Sequence, residues 1–235
     1  MSSSEDSALE ALGVLGDPVR RGLYRHVAGT PEEVGRDAAA EAAGVSRSLA
    51  AFHLDKLVEA GLLEVSFRRL SGRSGPGAGR PSKMYRRAEG EHTVSVPPRT
   101  YDSASRLLAE VVERAGLDGE LQAAARTAGE SEGRASEGGT DPVEVLRARG
   151  YEPFWDGGKL RLNNCPFHAL ADQYTALVCG MNLAGIEGLL DGLPDGEGWK
   201  ASMDPLPRGC CVALEAPFEA SLEASEEGRK SSPDL

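Results

Sequence analysis

The spacing of capping residues over the first sixty positions leaves this chain little choice of fold. Asp17-Pro18 supplies a capping carboxylate followed by proline at the first helical position, a strong helix start. Ahead of it, Leu9, Leu12 and Leu15 begin an apolar stripe; after it, Leu23 and Val27 continue an inward face. The Gly29-Thr30-Pro31 break closes this second helix. The alanine-rich stretch from Asp37 to Ala43 then reads as a short third helix, ended by Gly44 in a left-handed cap. Ser46 caps a fourth, roughly Arg47 to Ala60, whose Ala50, Leu54, Leu57 and Val58 share one face. Gly61 ends it. Short helix, glycine turn and amphipathic helix form a helix-turn-helix pattern, whose second helix enters the major groove of DNA.

The segment after the fourth helix fits that pattern. Leu62 to Phe67 is strand-like, and Lys83 to Arg87 is its expected return. Between them, Arg69 to Ser82 holds four glycines and two prolines, too flexible to pack, and reads as a wing. The overall net charge of −11 argues against a nucleic-acid partner, but the charge is unevenly placed. Residues 1–90 carry 13 basic and 12 acidic side chains, a net of +1, which leaves 13 and 25, a net of −12, for the remainder. Arg68, Arg69, Arg73, Arg80, Lys83, Arg86 and Arg87 lie within one acid-free stretch. Such a stripe attracts phosphate despite the total, because charges beyond about 10 Å are screened. Gly79-Arg80-Pro81 has the shape of a minor-groove hook.

Arg47, Ser48 and Ala51 are the expected base-reading positions, with Arg47 suited to guanine O6 and N7 and Lys56 to phosphate. His53, between Phe52 and Leu54, reads as a half-buried packing residue with DNA contact as the alternative. The runs Val45-Ser46-Arg47-Ser48-Leu49-Ala50-Ala51-Phe52-His53-Leu54-Asp55-Lys56-Leu57 and Gly79-Arg80-Pro81-Ser82-Lys83-Met84-Tyr85 resemble the ArsR/DeoR-like winged-helix repressors. The metal-site cysteines that ArsR sensors carry near the recognition helix are missing here, so metal sensing of that kind is not expected.

Downstream, Leu107, Leu108, Val111, Val112 and Ala115 form one apolar stripe on a helix from Ser105 to Ala115. It is expected to be a dimer seam, since winged-helix proteins read paired half-sites; packing on its own domain is the alternative. Gly129 to Thr140 is rich in Gly, Ser and Glu and reads as a flexible connector. Asp141-Pro142 opens a further helix. Tyr151 to Trp155 and Lys159 to Asn163 read as a hairpin around Asp156-Gly157-Gly158, with later strands near Trp199 to Met203 and Cys211 to Leu214. From about Phe218 onward the chain is polar and acidic, a solvated tail.

Cys165, Cys179, Cys210 and Cys211 all fall within 47 residues of this last region, and the first 164 residues hold no cysteine. Confinement of that kind suggests one shared site. Without a signal peptide or a membrane-length apolar run, a cytoplasmic protein is expected, where a thiol cluster binds metal or does redox work rather than forming disulfides. One straight helix from Phe167 to Cys179 would hold its ends about 18 Å apart. Thiolates sharing one centre lie within about 4–7 Å, given metal–sulfur bonds of about 2.3 Å. The helix must therefore break or the cysteines do not share a site; Thr175 offers the break as the cap of a second helix, with Cys179 near its first turn. Because neighbouring strand residues face opposite ways, Cys210 and Cys211 reach one centre together only at an irregular strand entrance. His168, three residues past Cys165, is a candidate fourth ligand.

Buried structural cysteines, structural zinc and an iron–sulfur cluster all remain compatible with this spacing; the Cys-x-x-Cys knuckles usual for zinc are absent. The runs Leu162 to Ala171, Leu177 to Asn182 and Gly209-Cys210-Cys211-Val212 resemble the sensor domain of SufR-type repressors of iron–sulfur assembly genes, particularly the actinobacterial branch. That resemblance implies a homodimer with one cluster per subunit, 4Fe-4S in preference to 2Fe-2S, repressing when loaded and releasing duplex operator DNA when the cluster is lost. The cysteine doublet departs from the evenly spaced cysteines of cyanobacterial members. An enzyme is not expected: Cys165 and His168 lack an orienting group and an oxyanion hole. A rival is a small organic ligand in a pocket walled by Trp155, Trp199 and Tyr174.

The expected fold is mainly α with α+β. A winged helix-turn-helix spans residues 1–90, a dimerisation helix and linker 91–140, an α+β sensor domain with the thiols 141–217, and a disordered acidic tail 218–235.

Overall fold

A computed structural model describes residues 3–69, 81–136, 140–206 and 208–217. The chain divides into two compact units, Met1–Arg99 and Thr100–Leu235.

In the first unit, helices α1 (Ser3–Val14), α2 (Pro18–Gly29), α3 (Arg36–Ala43) and α4 (Arg47–Glu59) surround strands β1 (Val34–Gly35), β2 (Leu63–Arg68) and β3 (Ser82–Arg87). The caps are those the sequence prescribes. Asp17 Oδ1 accepts from the Arg20 N–H at 2.9 Å, and Ser46 Oγ accepts from the Leu49 N–H at 3.3 Å. Gly44 turns the chain between α3 and α4 with φ 62°, which a side chain would resist. The strands pair antiparallel in the order β1-β3-β2, with Val65 opposite Tyr85. Leu23, Val27, Ala50, Leu54, Leu57 and Tyr85 are fully enclosed in the core; each large aliphatic side chain so buried stabilises the unit by about 1.5–3 kcal/mol. One expectation is corrected at α1. Ala8 and Ala11 face inward while Leu9 and Leu12 are exposed, because the small alanines let α1 lie close to the core.

The second unit opens with α5 (Tyr101–Ala115), whose Leu107, Leu108 and Val111 are exposed, and continues into α6 (Asp118–Arg134). The expected connector is corrected here: Gly129 to Arg134 is helix. Its glycines are contact points, since a Cβ on Gly129 would stand 2.1 Å from the Gly185 carbonyl oxygen and one on Gly133 2.5 Å from that of Leu189. Both carbonyls belong to α9 (Thr175–Gly192), so the two helices meet backbone to backbone. Arg126 fastens the pair by reaching Glu187 and Asp191, each at 2.6 Å. Glycine-rich composition reads as linker because glycine disfavours an isolated helix; close packing outweighs that cost of about 1 kcal/mol per residue.

After α7 (Pro142–Ala148), the strands β4 (Pro153–Asp156), β5 (Lys159–Leu162), β6 (Lys200–Met203) and β7 (Val212–Glu215) form an antiparallel sheet in the order β4-β5-β7-β6. Leu146, Leu160, Leu162, Leu189 and Leu214 are the enclosed centre of this unit. The short α8 (His168–Ala171) lies between β5 and α9. The chain breaks before Thr175 as expected, but Thr175 is the first residue of α9, not its cap. Its hydroxyl donates instead to the Ala171 carbonyl at 2.7 Å, tying α8 to α9. Of the expected wing from Arg69 to Ser82, residues 70–80 lie outside the described residues, as does the tail from Phe218. No helix among the described residues is long and apolar enough to cross a membrane.

Candidate nucleic-acid interface and cysteine cluster

In the first unit, Ala50, Leu54 and Leu57 root α4 in the core and turn its other side outward. Arg47 and Ser48 are exposed at its start, and Ala51 is half-buried. Arg47 Nε is 2.6 Å from Asp37, and Lys56 Nζ is 2.6 Å from Glu59; exchange of these surface carboxylates for phosphate costs little. Arg68 and Arg69 are exposed at the end of β2, whereas Arg73 and Arg80 lie outside the described residues. Lys83, an expected phosphate contact, is engaged in a network on its own unit. Its ammonium donates to Asp55 of α4, whose carboxylate also accepts from the Tyr85 hydroxyl at 2.8 Å; Arg36 Nε donates to that hydroxyl at 2.9 Å. Burial opposes ionisation of Asp55, yet the bonds from Lys83 and Tyr85 hold its carboxyl below the ordinary value. The network fastens β3 to the outward helix.

The residue that sequence reasoning passed over is Phe52. Its ring is 55% exposed, while His53 is 6% exposed and accepts at Nδ1 from Arg20 Nε at 3.4 Å. Helical phase contains this signal, since Phe52 sits roughly 160° around the helix from the inward Leu54.

The second site is built where three elements end. Cys165 follows β5, Cys179 lies in the second turn of α9, and Cys210-Cys211 precedes β7. Cys165, Cys179 and Cys210 are buried, Cys211 is half-buried, and all four are free thiols. Gly209 brings the doublet in: its φ is 114°, and a Cβ there would stand 2.8 Å from the Leu162 carbonyl oxygen, the same oxygen that accepts from the Cys210 N–H at 2.8 Å. This is an irregular strand entrance, with Cys210 buried and Cys211 half-buried beside it.

The four thiols are neighbours in a row. Cys210 is flanked by the thiols of Cys165 and Cys211, and Cys211 by that of Cys179, each acting on its neighbour's ionisation as a hydrogen-bonding group. The bond from Cys165, then that from Cys211, pulls the Cys210 thiol down against the effect of burial, aided by the Val212 N–H and Asn182. The same bonds to Cys210, together with burial, push Cys165 and Cys211 up. Of the four thiols, Cys210 is the one whose ionised form its neighbours favour. Asn182 Nδ2 donates to its sulfur at 3.2 Å, and Asn182 Oδ1 accepts from the buried Tyr151 hydroxyl at 2.6 Å. Among the described residues, no group of three or more His, Cys, Asp and Glu side chains surrounds a position for a single metal ion. The two observations are compatible, because thiols set in a row need not share a centre.

His168 is not drawn in. Its side chain is 63% exposed, with Nδ1 3.7 Å from Asp172. Trp155 and Trp199 pack on each other at 6.2 Å and against the core, and Tyr174 stands at the start of α9.

A helix-turn-helix domain model matches residues 15–66, from the end of α1 into β2. The first unit contains a helix-turn-helix domain. The match supports an ArsR-type winged-helix regulator that binds DNA. No curated protein and no solved structure matches this chain.

Proposed function

We propose that this protein is a transcription repressor that binds duplex operator DNA as a homodimer and makes that binding depend on an iron–sulfur cluster held by Cys165, Cys179 and the Cys210-Cys211 doublet. The observation that carries the reading is the convergence of all four thiols, from three separate elements, in a unit joined to a helix-turn-helix. The donor types suit such a group: they are all sulfur, largely buried, and Cys210 receives a hydrogen bond from Asn182, which favours a thiolate, the form that ligates iron. A bound cluster would supply an iron- and oxidant-sensitive cross-link between β5, α9 and β7. The chain's own residues do the rest: Asn182 and Gly209 position the Cys210 sulfur, and the surrounding leucines exclude water. The exposed Leu107, Leu108 and Val111 of α5 are the seam proposed to pair two copies.

Anaerobic purification tests the cluster. A brown protein containing iron and acid-labile sulfide is expected, with Cys165→Ser and Cys179→Ser each losing colour and operator affinity together. A colourless protein with stoichiometric zinc would replace the cluster with a structural ion. Tight operator binding by the colourless protein, weakened when cluster is added, would reverse the switch. Val111→Glu with Leu108→Glu is expected to sediment as a monomer with a folded head.

A further inference from the structure

We infer that Phe52 is a specificity-determining residue that reads the C5-methyl group of a thymine in the major groove, an inference that rests on the proposed DNA binding. The ring projects near the middle of the outward face of α4, with Ser48 one turn before it and Lys56 one turn after. It can offer a base edge no hydrogen bond. The apolar group that base pairs present in the major groove is the thymine methyl, and aromatic or alanine side chains are what contact it.

Two features argue for nucleic acid, not protein, as the occupant of this face. The cations Arg47 and Lys56 stand on the same helix, and Arg68 and Arg69 are exposed at the end of β2 in the same unit, the chemistry of a phosphate backbone. Neither of the two acids on the same helix stands alone against the DNA: Asp55 is bound by Lys83, Tyr85 and Arg36, and the exposed Glu59 is paired with Lys56. The ring is also braced from beneath. His53 meets it edge-on with centroids 5.3 Å apart and is itself buried and bonded to Arg20 of α2. A side chain fixed before binding loses little entropy on contact, which sharpens discrimination.

The test uses the full chain, purified anaerobically, to select sites from a random duplex library, followed by affinity measurements on a selected duplex with uracil replacing each thymine in turn. Loss of one methyl per half-site is expected to weaken binding roughly fourfold, the equivalent of the ~0.8 kcal/mol that burial of one such carbon contributes. Phe52→Ala and the helix-favouring Phe52→Gln are each expected to bind thymine and uracil duplexes alike. A wild-type chain indifferent to every methyl overturns the proposal without any variant, as does a thymine preference that survives in both variants. A chain that selects no duplex at all refutes DNA binding itself, and this inference with it.

Discussion

The two units solve the packing of helices in opposite ways. In the head, Leu23, Leu54 and Leu57 fill the space between helices with large side chains, and glycine is left to turns and open surface. In the distal unit, α6 and α9 have almost no side chain between them: a Cβ on Gly188 would stand 2.0 Å from the Arg126 carbonyl oxygen, and one on Gly192 2.3 Å from that of Glu130. A leucine core tolerates repacking, because side chains have rotamers to move through. Backbone pressed on backbone has none. The stiffer contact belongs to the helix that carries Cys179 and Asn182, so the thiol cluster is held on the less forgiving scaffold.

The largest expected effect breaks that scaffold. Gly188→Ala should destabilise the distal unit by at least ~3 kcal/mol, since an added methyl must push apart two helices at once. Native-state hydrogen exchange reads the two units separately: protection in α6 and α9 should collapse while α2 and α4 keep theirs. Equal loss in both units would show that the head depends on the distal packing.

Asn182→Ala should cost less, about 1–3 kcal/mol, by leaving the buried Tyr151 hydroxyl without its acceptor and removing a donor from the Cys210 sulfur. Denaturant unfolding measures it. A neutral result would mean that another group satisfies Tyr151.

In the head, Asp55→Asn should cost about 1 kcal/mol at neutral pH, discounted because the carboxylate is partly exposed. The sign follows from its lowered folded-state value. The ionised form is stabilised above the ordinary carboxylate range, and that stability is lost as pH falls below about 4. Wild type and variant should therefore converge in urea unfolding at low pH; a constant gap would assign the effect to shape instead of charge.

Legibility in the sequence divides along the same line. Caps and breakers act locally, so Asp17-Pro18, Gly44 and Ser46 announced the helices of the head, and the phase of Ala50, Leu54 and Leu57 announced its core. Cysteine placement at element ends was legible for the same reason. The order of sulfur contacts was not, because it depends on Gly209 bending the doublet toward Leu162 across a sheet. Gly129 and Gly133 were misleading: locally they favour a flexible chain, and only α9, far along the sequence, makes them helical. The pairing of Lys83 with Asp55 was not legible, because 28 residues separate the two along the chain.

The smallest effect has the opposite sign and sharpens the contrast. Gly22 lies inside α2, exposed, with nothing within 4 Å of the position a Cβ would take. Gly22→Ala adds a methyl to empty space and removes conformational freedom from the unfolded chain, so it should stabilise the head by about 0.5–1 kcal/mol. The same substitution at Gly188 is expected to be ruinous. Measured together by hydrogen exchange in α2 and α9, the pair separates a glycine the fold tolerates from one it requires. A Gly22→Ala variant that loses protection in α2 would show that the head, too, relies on close backbone contact at a surface that stands open in the single chain.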